Sequence, residues 1–154
     1  MSQEISSSRT LHRLIYASRQ AFAVDMNPDE EIDAVIAASI RNNRAAAITG
    51  LLLVHDGWFL QALEGPAEAV MVTYQRILND PRHAESRVIF AGPASGREFG
   101  DWNMCARRVS AADNAILDTL SQRQAFDPAK LTDRSALRLL KAVRGIQDRT
   151  ALSA

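Results

Sequence analysis

The dipeptide Asp56-Gly57, which lies between two apolar runs, is the feature of this sequence that most constrains its fold. Asp-Gly is a preferred pair for a two-residue β-hairpin turn, and such a turn sets the register of the strands that it joins. We therefore predict that Val54 pairs with Phe59. Leu52 then pairs with Gln61, which becomes a polar side chain on an otherwise apolar face. The opposite face is apolar as well, with Leu51, Leu53, Trp58, Leu60 and Ala62. A hairpin of this kind must be covered on both sides.

The segments around the hairpin predict the order β-α-β-β-α-β-β. Alternation indicates a first strand over 11–17, and Asn27-Pro28 begins the first helix, with Asn27 as its cap. Gly65-Pro66 opens the second helix, a strand over 86–92 follows, and a short edge strand lies within 104–110. We therefore predict an α+β protein, a ferredoxin-like sheet with two helices on one face and a C-terminal helical extension covering the other. Apolar residues that mark the extension are Ile116, Leu117, Leu120, Ala136, Leu140, Val143 and Ile146.

Composition and charge narrow the class of protein. The chain has 154 residues, of which 47% are hydrophobic, which is enough for one domain with a short extension. Basic and acidic residues both number 18, so nothing predicts binding to nucleic acid or to a membrane, and weak charge repulsion favours a homo-oligomer. Cys105 is the only cysteine, which indicates a cytoplasmic protein. We expect residues 1–8 to be a disordered arm without a signal peptide.

Three polar residues are predicted to lie under the same pair of helices. Gln61 stands on the apolar face of the hairpin, Tyr16 lies in the first strand, and Asn43 continues the buried stripe of the first helix. Each has an ordinary structural interpretation: Gln61 and Tyr16 as satisfied core residues, and Asn43 as a left-handed residue at a helix end. Taken together, they also suit a ligand with a polar edge and an apolar body.

Five ordered segments resemble the BLUF family of flavin-binding blue-light photoreceptors. They are residues 13–18, 42–53, 58–66, 80–83 and 99–104. The resemblance spans about residues 9–110, which it implies to be the photosensory domain, with residues 111–154 as a helical extension. It resembles the short members of the family, which carry no fused enzyme. The fold that this implies, with a flavin ring between two helices of a ferredoxin-like sheet, agrees with the predicted order of elements.

The resemblance implies a role for each residue of the polar trio. Tyr16 matches the electron and proton donor that is oxidised in the light, and Gln61 matches the amide that bridges the tyrosine hydroxyl and the flavin. Asn43 matches the residue that holds the polar edge of the ring. FAD is the implied cofactor, bound noncovalently. An amide has both a donor and an acceptor end, so a change at Gln61 could exchange its partners without changing net charge.

Further residues acquire roles only through the same resemblance. Asn42 matches a position beside the ring, although some members have histidine there, and Arg82 and His83 match positions near the ring's far edge. Trp102 and Met104 match the segment that relays the light state. The implied partner is a separate effector protein, either a nucleotide-signalling enzyme or a transcription regulator.

Two other functions compete with that of a photoreceptor. Small ferredoxin-like domains include acyl-phosphate hydrolases, and Arg19 lies near the position that such an enzyme would need, but the glycine-rich anion-binding loop is missing. A cofactor-free ferredoxin-like interaction module, with a peptide in the cleft, is the other. His12, His55 and His83 lack the spacing of metal ligands, so we predict no metal. The resemblance to the short members of the family implies that the chain is not an enzyme.

Overall fold

The protein folds around one mixed β-sheet flanked by helices. The computed structural model describes residues 10–22, 24–100, 105–108 and 127–153. The elements are β1 (Leu11–Gln20), α1 (Pro28–Ala45), β2 (Thr49–His55), β3 (Trp58–Pro66), α2 (Ala67–Leu78), β4 (His83–Pro93), β5 (Cys105–Arg108), a 3₁₀ turn (Pro128–Lys130) and α3 (Asp133–Ser153). The strands lie in the order β4-β1-β3-β2-β5, antiparallel except for β5, which runs parallel to β2. The predicted α+β, ferredoxin-like βαββαββ order is confirmed.

The hairpin has the register that its turn predicts. Val54 pairs with Phe59, and Leu52 pairs with Gln61. Asp56 and Gly57 have φ angles of 51° and 80°. A turn with positive φ at both central residues matches the right-handed twist of its strands, which is why Asp-Gly is favoured there.

Helix α1 begins and ends by different local means. The Asn27 side chain accepts hydrogen bonds from the backbone N–H groups of Asp29 and Glu30, at 2.9 and 3.4 Å, which caps the first turn. Asn43 is helical and buried in the last turn, and Ala47, with φ of 58°, is the left-handed residue that follows the helix. The interpretation of Asn43 as a left-handed helix end is therefore wrong.

Both faces of the hairpin are covered. The Gln61 face packs under α1 and α2, which contribute Ile32, Val35, Val70 and Tyr74. The opposite face packs against α3, which contributes Ala136, Leu139, Leu140 and Val143. The prediction that a C-terminal helix covers the second face is confirmed for α3. Residues 1–8 and the predicted apolar stripe at 116–120 lie outside the described residues, and the domain boundary at 110 stays a prediction.

Candidate functional site

A cleft opens between α1 and α2 on the Gln61 face of the sheet. Its volume is about 410 Å³, part of which is open to solvent. Polar side chains come to it from α1, β3, α2, the loop that follows α2 and the first residue of β4. They belong to Ser39, Asn42, Asn43, Gln61, Thr73, Arg76, Asp80, Arg82 and His83. Five of these nine are the predicted cofactor-binding residues, which the fold thus brings to one place.

Tyr16 and Gln61 form a buried pair at the floor of this region. They are cross-strand partners on β1 and β3, and their side chains are 0% and 2% exposed. The Tyr16 hydroxyl donates a hydrogen bond to Gln61 Oε1. Burial raises the pKa of the Tyr16 phenol well above its usual value of 10, and Tyr74 and Asp80 act in the same direction. The phenol is therefore neutral and keeps the proton that it donates.

Asn43 presents a donor to the cleft. Its side chain is 1% exposed, and its buried Nδ2 meets no hydrogen-bond acceptor in the part of the chain that the structure describes. A buried amide N–H without a partner destabilises a fold by about 1–3 kcal/mol. A flavin ring carries carbonyl oxygens along one edge and an apolar body behind it. The side-chain amides of Asn43 and Gln61, beside an apolar cleft, fit such a group.

His83 is held in place at the start of β4. Its ring lies 4.5 Å from the ring of Phe59 and 6.2 Å from that of Tyr16, measured between centroids. The hydroxyl of Ser18, which is fully buried, shares a 2.8 Å hydrogen bond with His83 Nδ1. Burial lowers the pKa of His83 from 6.5 to about 4, and the Asp80 carboxylate offsets this only in part. His83 is therefore a neutral hydrogen-bonding group at the edge of the cleft near pH 7.

This pKa predicts a pH dependence of stability. Between pH 6.5 and pH 4, His83 is protonated in the unfolded chain but mostly neutral in the folded chain. The free energy of unfolding therefore falls as the pH falls through this window. Over that range we expect the free energy of unfolding to fall by up to about 3 kcal/mol more in the wild type than in His83→Gln. This corresponds to about 1.4 kcal/mol for each pH unit. Urea unfolding at a series of pH values measures this, with His55→Gln as the control. Parallel curves for wild type and His83→Gln would contradict it.

Arg82 lines the cleft and is held by two carboxylates. Its guanidinium contacts both carboxylate oxygens of Asp80, at 2.8–3.2 Å, and lies 3.8 Å from Glu31 on α1. Because Asp80 also accepts from the Arg82 backbone N–H at 2.9 Å, the turn before β4 holds the guanidinium in one orientation. The sequence indicated Arg82 but not the two carboxylates that orient it.

Two residues that contact the site from outside the cleft lining were also missed in the sequence. Ser18 lies just past the first strand predicted over 11–17, but β1 continues to Gln20 because it pairs with β3 on one side and β4 on the other. Ser18 follows Tyr16 by two residues, so the period of a strand would have placed it on the same face. Tyr74 of α2 lies 5.2 Å from the Tyr16 ring, centroid to centroid, and its hydroxyl shares a 2.8 Å hydrogen bond with Ser86. Trp102 and Met104 lie outside the described residues.

The part of the chain that the structure describes contains no group of three or more His, Cys, Asp or Glu side chains that could hold a metal ion. No helix there is long and apolar enough to cross a membrane.

The chain is similar to known light-sensing proteins. The profile of the family "BLUF: Sensors of blue-light using FAD" matches residues 11–105. The photoactivated adenylate cyclase subunit beta of Euglena gracilis is 33% identical over 99 residues, which are 64% of this chain and 11% of that protein. This chain therefore spans about a tenth of the length of that relative.

Solved structures agree with the family match. The dark-state structure of BlrB, a BLUF protein, is 27% identical with a TM-score of 0.73, covering 91% of this chain and 98% of that one. Klebsiella pneumoniae BlrP1, solved with FMN and cyclic diGMP, is 29% identical with a TM-score of 0.60, covering 70% of this chain and 29% of that one. The matched unit is a sensor domain and not a catalytic one. The family profile covers more than half of the chain, and this protein accordingly belongs to the BLUF family of flavin-using blue-light sensors.

Proposed function

We propose that this protein is a blue-light receptor that binds FAD noncovalently in the cleft between α1 and α2 and signals through the hydrogen bonds of Gln61. The observation that carries the proposal is the buried Tyr16–Gln61 hydrogen bond, which lies beside the cleft that the Asn43 amide lines. A phenol and an amide in contact, both shielded from water, are a donor and a relay for one proton.

The mechanism follows from how these residues are held. When bound, the flavin supplies a strong one-electron oxidant on absorbing blue light. Tyr16 would give up an electron to that oxidant, its hydroxyl would become strongly acidic, and its proton would move along the existing hydrogen bond to Gln61 Oε1. Return of the electron and the proton to Tyr16 would restore the net charge, with the donor and acceptor ends of the Gln61 amide left exchanged. Because both side chains are at most 2% exposed, water does not compete for the rearranged amide.

We propose FAD rather than FMN as the cofactor. The family description names FAD, whereas the BlrP1 structure was solved with FMN. A second, more open hollow adjoins the cleft, and Asn42, Thr73 and Arg76 line both. The continuous groove offers room for a chain longer than a ring system, and Arg76 offers it a cation. Mass spectrometry of flavin released from the purified protein distinguishes the two cofactors.

The absorption spectrum tests the proposed function directly. Purified protein with FAD should be yellow, and blue light should move its visible absorption reversibly to longer wavelength. A protein that stays colourless with added FAD would overturn the proposal and would favour a cofactor-free interaction module. A bound flavin with no reversible shift would overturn the mechanism and leave the cofactor site standing.

Asn43 gives a prediction that separates cofactor binding from folding. Its buried Nδ2 lacks a partner in the described part of the chain, so Asn43→Ala removes no hydrogen bond at that atom. We expect the dissociation constant for FAD to rise up to about tenfold, because one lost hydrogen bond contributes at most about 1.4 kcal/mol. The unfolding temperature of the flavin-free protein should stay close to that of the wild type. Flavin fluorescence quenching measures the affinity, and Asn79→Ala, an exposed change on α2's end, is the control.

The partner of this receptor is a further proposal. We infer a separate effector protein, either a nucleotide-signalling enzyme or a transcription regulator, because the relatives include an adenylate cyclase subunit, an antirepressor and a protein solved with cyclic diGMP. We also infer a homo-oligomer, since a formal net charge of zero gives copies of the chain little mutual repulsion. Light scattering after size-exclusion chromatography, in the dark and under blue light, tests the oligomer.

A further inference from the structure

A buried carboxylate outside the cleft holds the loop that follows β4. Glu64 lies in β3, three residues after Gln61, and its side chain is 0% exposed. Glu64 Oε2 accepts hydrogen bonds from Arg13 Nε at 2.8 Å and from the Glu98 N–H at 2.9 Å, and Oε1 accepts from the Phe99 N–H at 2.9 Å. One guanidinium and two peptide N–H groups thus compensate a charge that would otherwise be strongly unfavourable in the core.

The same loop is tied to the end of α1. We call residues 94–100 the clasp loop. Arg97 NH1 donates to Thr49 Oγ1 at 2.7 Å and to the Glu64 carbonyl at 3.0 Å, and NH2 donates to the Ala47 carbonyl at 3.1 Å. Ala47 is the left-handed residue four positions after Asn43. The guanidinium of Arg97 therefore bridges β2, β3 and the connection that follows the cleft-lining helix.

The clasp loop also contacts the helix on the far side of the sheet. Phe99 is fully buried in the layer that holds Ala136, Leu139 and Leu140 of α3. Glu98, one residue earlier, lies 3.3 Å from Lys141 of α3. One short segment thus touches the strand that carries Gln61, the connection that follows the helix that carries Asn43, and α3.

We propose that Glu64 and Arg97 are positioning residues that couple the hydrogen bonds of Gln61 to the packing of α3. This inference rests on the proposed function. Gln61 and Glu64 are on opposite faces of one strand, so a displacement of β3 that accompanies a change at Gln61 also displaces the carboxylate. The Glu64 carboxylate accepts hydrogen bonds from the clasp loop, and the Arg97 guanidinium donates hydrogen bonds from it. We expect the packed loop to respond to a displacement of β3 by changing between discrete arrangements. Phe99 then moves under α3.

The test uses the full chain with FAD and two measurements on each variant. The visible red shift reports the cleft, and the light-minus-dark difference in amide hydrogen exchange of residues 133–153 reports α3. Glu64→Gln should keep the red shift and lose most of the exchange difference in α3. Glu85→Gln is the matched control, because that carboxylate is exposed, lies on β4 and pairs with Arg19 at 3.4 Å, and it should behave as wild type.

Arg97 keeps the test decisive if Glu64→Gln fails to fold. Arg97 is exposed on the clasp loop, and Arg97→Met should likewise keep the red shift and lose most of the exchange difference. Arg97→Lys, which keeps one donor group, should restore part of it. A variant that is merely less stable in both states, with the exchange difference intact, would overturn the coupling role. A wild-type protein that shows the red shift but no light-minus-dark difference in the hydrogen exchange of α3 would also overturn the coupling role. A wild-type protein with no red shift would contradict the proposed function instead.

Discussion

Replacing Gln61 with leucine should abolish the light-induced red shift while flavin stays bound. Leucine has a similar volume, and Gln61 pairs with Leu52 across the hairpin, so an apolar side chain suits this face. The change removes the amide that accepts the Tyr16 proton, and with it the only exchange of donor and acceptor ends that the proposed mechanism uses. Light-minus-dark spectra of purified Gln61→Leu measure the effect.

The same substitution has a predicted effect on stability. It leaves the Tyr16 hydroxyl buried without its amide partner, which should lower the free energy of unfolding by about 1–3 kcal/mol. Gln75→Leu, an exposed change of the same type on α2, is the control and should keep both the red shift and the stability. A normal photocycle in Gln61→Leu would refute the proposed role of this residue.

Truncating Leu140 should produce the second large effect, a loss of about 3 kcal/mol in the free energy of unfolding. Leu140 is fully buried where α3 covers the second face of the hairpin. Leucine-to-alanine changes in cores typically destabilise by 2–5 kcal/mol, since apolar contacts are lost and a cavity remains.

Urea unfolding of Leu140→Ala, followed by circular dichroism, measures this loss. Arg138→Ala lies on the same helix with its side chain exposed, so it should change the free energy by less than about 0.5 kcal/mol. Equal effects of the two changes would mean that α3 does not pack on the sheet in solution.

Local chemistry explains which parts of the fold were predictable. The Asp56-Gly57 turn and the Asn27 cap depend on residues next to one another in the chain, and both have the predicted form. Strand lengths were underestimated: β1 was predicted to end at residue 17 and β4 to begin at residue 86. The additional residues pair with each other, Arg19 with Ala84 and Gln20 with His83, and no local pattern shows such pairing.

The site was predictable to the same extent. Tyr16 and Gln61 could be placed on one face because strand period and hairpin register are regular. The partners of His83 and Glu64 could not be predicted, because they are distant in the sequence. Ser18 is 65 residues from His83, and Phe99 is 35 residues from Glu64. The roles of Asn42, Arg82, His83, Trp102 and Met104 came only from resemblance. These roles stay predictions, as do those of Tyr16, Asn43 and Gln61.

The position of β3 between two separate packing layers has a consequence for engineering this protein. Its side chains alternate between the cleft layer, with Gln61, and the α3 layer, with Leu60 and Ala62. Substitutions among the residues that pack under α3 should therefore change how α3 responds to light without altering the wavelength that the protein absorbs. Substitutions around the cleft should tune that colour, or the lifetime of the lit state, while the output surface is preserved. The two sets of residues to change therefore lie on opposite faces of one strand.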